Sequence, residues 1–283
     1  IIGSGGLPGD PTQTIIDFSA NQSGPGGHLA GFRTSSSVSG LWLRDFVLRG
    51  SMQAGMDVAV TQSDIWCHTV KGPSAVGIRA EASAQNTLHV LQVEDSAAIG
   101  IELHGGSANR LFDSYTLRSA DAGIMVHGGS NGNLIGVDGA NVVEASGLHG
   151  IKLQDSVGNV VKDNQVTTVT LGNGISVSNA ASQNTIDHNT VQTVTAGSGI
   201  LVDNCSSQQV INNIINGTFV DGIALTTLQE GGKGCTGCTI QNNTIGMAGR
   251  AGIALGVNSD SNQLRLNQIG TLPAGAPLAD GIH

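Results

Sequence analysis

The sequence predicts an all-β fold, a parallel β-helix wound into about ten coils, and three features of the chain predict it. A Gly followed by a large apolar residue recurs at Gly55-Met56, Gly77-Ile78, Gly100-Ile101, Gly123-Ile124, Gly150-Ile151, Gly174-Ile175, Gly199-Ile200, Gly222-Ile223, Gly252-Ile253 and Gly281-Ile282. The steps are 22, 23, 23, 27, 24, 25, 23, 30 and 29 residues. A second column of turn residues keeps pace with the first: Asn86, Asn109, Asn133, Asn159, Asn184, Gln209, Cys238 and Asn262. A third reads Asn141, Asn164, Asn189, Asn213, Asn243 and Asn267, each followed two positions later by Val or Ile.

Each repeat reads as three short strands joined by turns. After Gly100 the strands are Ile101-Glu102-Leu103, Leu111-Phe112 and a short one at Leu117. In-out-in alternation over so few residues is strand periodicity and leaves no room for a helix. Gly, Asn, Ser and Asp, which tolerate left-handed backbone or bond to it locally, fill the turns. A single repeat cannot close a core. Coils stacked ~4.8 Å apart satisfy one another's backbone groups and pile Ile on Ile and Asn on Asn.

Composition narrows the function classes. The 283 residues include 42 Gly but only 3% aromatics, too few for the usual core of a sandwich or a doubly wound sheet. A hydrophobic fraction of 39% and a mean hydropathy of +0.07 set the chain apart from disordered sequences. The formal net charge of −9, with no Lys/Arg-rich run, argues against nucleic acid or an anionic membrane as partner. No apolar stretch approaches the ~18 residues of a membrane span. No domain boundary stands out, so residues 1–283 read as one domain, with 1–35 as opening or capping coils and 36–283 as regular repeats. The last residue follows Gly281-Ile282 at the start of another strand, which predicts a longer protein, since solenoids cap their edges.

The Gly-Ile strand, the Asn-x-Ile/Val turn and the period of 22 to 30 residues resemble the right-handed parallel β-helix repeats of the pectin-lyase-like superfamily, over roughly residues 36–283. The opening Ile1-Ile2-Gly3-Ser4-Gly5, with Thr14-Ile15-Ile16-Asp17, is similar to the first coils of many such proteins. This resemblance implies a right-handed solenoid and a polysaccharide partner. It does not choose among polysaccharide lyases, uronan epimerases, hydrolases, fructotransferases, tailspikes and adhesins, because one fold carries many sites.

Outward side chains of the Gly-Ile strand carry the candidate chemistry. One position after the apolar residue they are Asp57, Arg79, Glu102, Met125, Lys152, Ser176, Leu201, Ala224 and Ala254; two further on, Ala59, Glu81, His104, His127, Gln154, Ser178, Asp203, Thr226 and Gly256. Arg79, Glu81, Glu102, His104, His127 and Lys152 therefore form one patch. Proton abstraction beside a uronate needs a base near neutrality, which His104 or His127 supplies, and a cation for the carboxylate, which Arg79 or Lys152 supplies. Hydrolysis instead needs two carboxyl groups, for which Glu81 and Glu102 are the candidates at a Cα separation of ~8 Å. The segment Gly100-Ile101-Glu102-Leu103-His104 also resembles the Asp-Pro-His-Glu strand of mannuronan epimerases. The resemblance puts Glu102 and His104 in the Asp and His places, with Leu103 for the Pro, Gly105 for the final Glu and no preceding Tyr.

Other readings stand beside this one. Charges that alternate up the stack, as in Asp57, Arg79, Glu102 and Lys152, or Lys71, Glu94, Arg118 and Glu144, also describe a solvated ladder. Glu81, His104 and His127 could instead hold a metal. Trp42, Trp66, His89 and Phe112 read as one outward ring column on the neighbouring strand, a cover or subunit interface or else a sugar-binding surface. Cys67 reads as a small core residue, and Cys205 is expected to pair with Cys235 or Cys238, stapling the coil that carries an insert at residues 229–234. That disulfide would favour an extracellular setting.

The functional expectation is a secreted or surface carbohydrate-active β-helix, acting by lyase, epimerase or hydrolase chemistry. Glu102 and His104 lead as acid and base, His127 and Glu81 support them, and Arg79 and Lys152 position an anionic substrate, with Ca²⁺ as an optional bridge. The alternative is a structural or adhesive solenoid such as a trimeric tailspike-like shaft.

Overall fold

A computed structural model of the chain describes residues 14–17, 30–34, 38–50, 53–73, 75–226, 234–270 and 280–282. Most of the opening segment, residues 229–233 of the insert, the Cys67 side chain and His283 lie outside the described residues. Every described strand pairs in parallel, and the Gly-Ile strands form a sheet of 11, from Ala30–Arg33 to Asp280–Ile282. A second sheet of 19 strands carries the other two faces of each coil. The two faces belong to one sheet because Asp64–Lys71 runs through both. Its first half pairs with Thr87–His89 and its second with Gln92–Glu94.

The Gly-Ile strands keep the predicted register. Ile78, Ile101, Ile124, Ile151, Ile175, Ile200, Ile223 and Ile253 lie directly over one another, all fully buried. The preceding glycines are required by close approach. A Cβ at Gly77 would overlap the Val93 side chain and lie 2.5 Å from the Gly100 carbonyl oxygen. Without it, neighbouring coils close until the third-face Val fills the space.

The Asn columns are buried hydrogen-bond ladders. The Nδ2 of Asn86 donates to Asn109 Oδ1 at 2.8 Å, Asn109 to Asn133 at 3.0 Å, and Asn133 to Asn159 at 2.9 Å. Each side-chain oxygen also accepts the backbone N–H of the Asn one coil earlier, as from Asn109 to Asn133 at 2.9 Å. The ladder thus satisfies buried polar groups that would otherwise cost ~1–3 kcal/mol each. A residue with left-handed backbone precedes each ladder position, for example Ala108 at φ 53° and Gln183 at φ 54°.

Three register details differ from the sequence expectation. Gln208, not Gln209, occupies the Asn column, accepting from the Asn184 N–H at 3.1 Å, because the left-handed residue that sets the position is Ser207. Trp42 pairs with Asp64, while Arg44 pairs with Trp66, because these two strands are offset by 22 residues. Leu117, not Arg118, stands between Glu94 and Glu144. Arg118 has φ 55° and turns away to Asp95, 2.5 Å from its carboxylate.

Candidate active site

The strand Ile99–His104 lies between Val76–Glu81 and Ala122–His127. Register places Arg79, Glu102 and Met125 in one column and Glu81, His104 and His127 in the next. Since alternate residues of a strand share a face, both columns point away from the core. Five of the six expected ionisable groups thus come together within three coils. Lys152 stands one coil further, beyond Met125.

Contacts within this patch run up the columns from Arg79 to Glu102 and from Glu81 to His104, and cross between them from Glu102 to His127. Glu102 is only 4% exposed, with one carboxylate oxygen accepting from Arg79 Nε at 2.5 Å and the other 2.6 Å from His127 Nε2. Burial alone would raise its pKa, but hydrogen bonds from His127 and Arg79 outweigh that and hold the carboxyl below its ordinary value. Both oxygens of Glu102 are therefore engaged, and it is an ionised orienting group between a guanidinium and an imidazole.

Glu81 and His104 are open to solvent, with side chains 42% and 38% exposed. His104 Nδ1 lies 2.8 Å from both oxygens of Glu81. A carboxylate only accepts, so Nδ1 carries the proton and Nε2 is left as an acceptor. By the same argument His127 donates from Nε2 and keeps Nδ1 as acceptor. The two rings are 4.5 Å apart, centroid to centroid, and tilted by 41°. Each histidine thus has its own carboxylate, and the two glutamates are not a free carboxyl pair.

Three contributors were not singled out from the sequence. Gly128, at φ +66°, sits beside the Nε2 edge of His104, where a Cβ would be 2.5 Å from Nε2. Its signal is the Gly128-Gly129 pair straight after His127. Arg33 lies 3.4 Å from Asp57, and with Thr34, Arg79 and Glu81 they line a hollow of about 310 Å³ next to the patch. His149, beside Lys152, is pushed down to about 4 by burial and then by the Lys152 charge, so it is neutral near pH 7. Its Nδ1 is buried with no hydrogen-bond partner among the described residues. Nothing in the repeat pattern marks it, because it precedes a Gly rather than following an Ile.

Among the described residues no cluster of three or more His, Cys, Asp or Glu side chains is arranged to hold a metal ion. On the second sheet Trp66, His89 and Phe112 stack, with centroids 5.7 and 5.0 Å apart and interplanar angles of 6° and 24°. The Arg44 guanidinium caps the Trp66 ring at 5.9 Å. Trp42, outside that stack, is 70% exposed. The ring faces of Trp66 and His89 are thus engaged along the axis, and the stack presents edges.

The expected disulfide is corrected. Cys205 and Cys235 do lie on adjacent coils, flanking the bridge between Ser206 and Thr236, yet both are free buried thiols. Each reaches a backbone carbonyl instead: Cys205 to Asp203 at 3.0 Å and Cys235 to Val202 at 3.0 Å. Burial raises both thiol pKas, that of Cys235 to about 11. Cys238 is likewise a buried free thiol.

Family and structural comparisons agree with this fold. The model of the right-handed β-helix region matches residues 35–191 and 139–270, and the chain belongs to that family. No curated protein matches it. Among solved structures, the A-module of a mannuronan C-5 epimerase from Azotobacter vinelandii is similar at TM-score 0.64 and 12% identity, over 83% of this chain and 65% of that one. This chain therefore spans just under two thirds of that module. A variant of the periplasmic alginate epimerase AlgG is similar at TM-score 0.56 and 13% identity, over 82% of this chain and 70% of that one. The Dettilon tailspike protein is similar at TM-score 0.52 and 14% identity, over 83% of this chain and 61% of that one. At such identities the likeness is one of fold.

Proposed function

We propose that the protein is a polysaccharide-modifying enzyme, secreted or exposed at a cell or virion surface, which transfers a proton on a uronate unit held along the Gly-Ile face. The observation that carries this reading is the pair of histidines, each tied to a carboxylate from the neighbouring coil. Histidine bases oriented by carboxylates suit proton abstraction near neutral pH. Hydrolysis is the weaker reading because its two carboxyl groups are already committed, Glu102 in a buried ion pair and Glu81 to His104.

In this reading His104 Nε2 takes the proton from the carbon beside the sugar carboxylate, and Glu81 stabilises the imidazolium that forms. Negative charge then builds on the sugar carboxylate, toward the terminal nitrogens of Arg79 that Glu102 leaves free, with Lys152 placing the next part of an anionic chain. Return of a proton from the opposite side, by water or by His127 carrying a second proton on Nδ1, gives an epimer. Loss of the neighbouring glycosidic oxygen gives an unsaturated end. Glu102 acts through His127 and Arg79 and is a positioning residue.

The test is incubation with alginate, pectate and bacterial capsular polysaccharides, with and without Ca²⁺. Unsaturated ends are followed by ultraviolet absorbance, reducing ends by colorimetry and solvent-proton exchange by NMR. His104→Ala and Glu81→Gln are expected to lower turnover by about 10² or more, the usual contribution of a positioned acid or base. Full activity in His104→Ala would remove the site. Inactivity of the native protein on every glycan, together with a stable trimer in light scattering, would favour the adhesive shaft.

A further inference from the structure

Beyond the acid-base patch the same outward column changes character. Lys152 is followed up the stack by Ser176, Leu201, Ala224 and Ala254, each paired in register with the last. Leu201, Ala224 and Ala254 pack with Ala251 into an apolar cluster although they point outward. They floor an open trough of about 570 Å³, walled by Leu171 and Val220 on one side and Leu255 on the other. Leu201, the first residue of its floor, lies four rungs from Glu102, or about 19 Å at the usual strand spacing.

The one ion pair at the trough is internally neutral. Asp221 is 1% exposed and its carboxylate is held by Arg250 on both oxygens, through Nε at 2.9 Å and through Nη2, and by the Ala251 N–H at 3.1 Å. Neither a charged sugar nor a run of bare hydroxyls suits such a floor, because a hydroxyl buried against Leu and Ala loses its water partners without gaining others. A methyl group placed there gains from burial and leaves nothing unpaired.

We propose that this trough is a glycan subsite for units that carry methyl groups, either deoxy sugars or acetylated ones. The inference rests on the polysaccharide reading for its ligand class. It deepens that reading by making the substrate a heteropolysaccharide, with a uronate at the histidines and a neutral, methyl-bearing unit further along the same face. Continuity of the register column from patch to trough is what joins the two sites. The Arg250 guanidinium and the polar side chains of Asn173, Ser198 and Thr226 line the same space, where they supply hydrogen bonds for the remaining hydroxyls.

The test measures binding without catalysis. L-rhamnose and N-acetylglucosamine are titrated against the whole protein and compared with D-glucose, using saturation-transfer NMR. The methyl-bearing sugars are expected to bind about fourfold tighter per buried methyl, with the strongest transfer at the methyl protons. That preference is expected to vanish in Ala224→Asp, to weaken in the rim variant Leu171→Ser, and to be unchanged in His104→Ala. Should Ala224→Asp fail to fold, Leu171→Ser carries the comparison, since that side chain is exposed. Equal binding of glucose, or a preference that survives both trough variants, overturns the proposal. Because free sugars are used, a protein that binds them as described yet processes no polysaccharide would refute the catalytic reading alone.

Discussion

Buried imidazoles make individual residues sensitive to acid. His68 is 1% exposed, stacked on Phe46 at 5.5 Å, with Nε2 2.9 Å from the Leu43 carbonyl oxygen and Nδ1 without a partner among the described residues. The carbonyl only accepts, so Nε2 donates and the ring is neutral. Burial pushes its pKa down to about 4, against an ordinary 6.5. A histidine whose folded pKa is depressed contributes stability that is complete above its unfolded value and lost as pH falls through the folded one. The window here runs from 6.5 down to about 4, with a magnitude of about 3 kcal/mol for a shift of this size. His149 adds to the loss over the same window. We expect thermal stability to fall steeply between about pH 6.5 and pH 4, and His68→Leu to flatten that slope. An unchanged slope in His68→Leu, measured by calorimetry across the window, would show that the ring is not the source.

Stacked columns explain why some strands were readable from the amino acids and others were not. The Gly-Ile and Asn columns were legible because their residues have a geometric necessity that few others meet. Gly123 illustrates it: a Cβ there would overlap the Val143 side chain and lie 2.7 Å from Thr116 Oγ1 and 3.0 Å from the Gly150 carbonyl oxygen. Gly123→Ala is expected to cost about 1–3 kcal/mol through overpacking. Gly129→Ala, at φ +79° with nothing within 4 Å of its Cβ, should cost only about 1–2 kcal/mol of backbone strain and leave packing intact. Denaturant melts of the two variants, with near-ultraviolet circular dichroism as the packing probe, would separate these costs. His104 over His127 was legible for the same reason, a constant 23-residue step and a fixed strand face. What escaped was reach across columns. Glu102 meets His127 of the next column as well as Arg79 of its own, because long side chains on adjacent strands choose partners by charge, and no spacing rule encodes that choice. Trp42 escaped for a different reason: the step to the next coil is 22 residues and not the expected 24, so Arg44 stands in the row of Trp66 and Trp42 two positions away.

At the scale of the molecule, a solenoid's stability is close to a sum of coil terms and contacts between adjacent coils, so its weakest junction decides where it opens. The Asn ladder locates that junction. Amides continue without a break from Asn86 to Asn184, and Asn184 passes its N–H to Gln208, but the next position is Cys238. The Cys238 sulfur stands 3.8 Å from the Thr236 carbonyl oxygen and accepts from the backbone N–H groups of Gln208 and Ser207, while the Cys238 N–H still donates to Asn262 Oδ1 at 2.9 Å. A thiol is a weak acceptor and donor where the coils from Asn86 to Gln208, and that of Asn262, have an amide. The same junction falls in the longest step of the Gly-Ile repeat, 30 residues. Opening should therefore begin between the Gln208 and Cys238 coils, with amides flanking them exchanging faster than those around Asn133. Restoring the amide makes the claim testable: Cys238→Asn is expected to add about 1 kcal/mol, since its side chain can donate to Asn262 Oδ1 and accept from the coil before. Hydrogen exchange should slow locally on both sides of position 238, and the melting temperature should rise. A lower melting temperature, with exchange at the junction no slower than before, would mean that the thiol is a packing requirement and that the ladder's gap is not where this molecule comes apart.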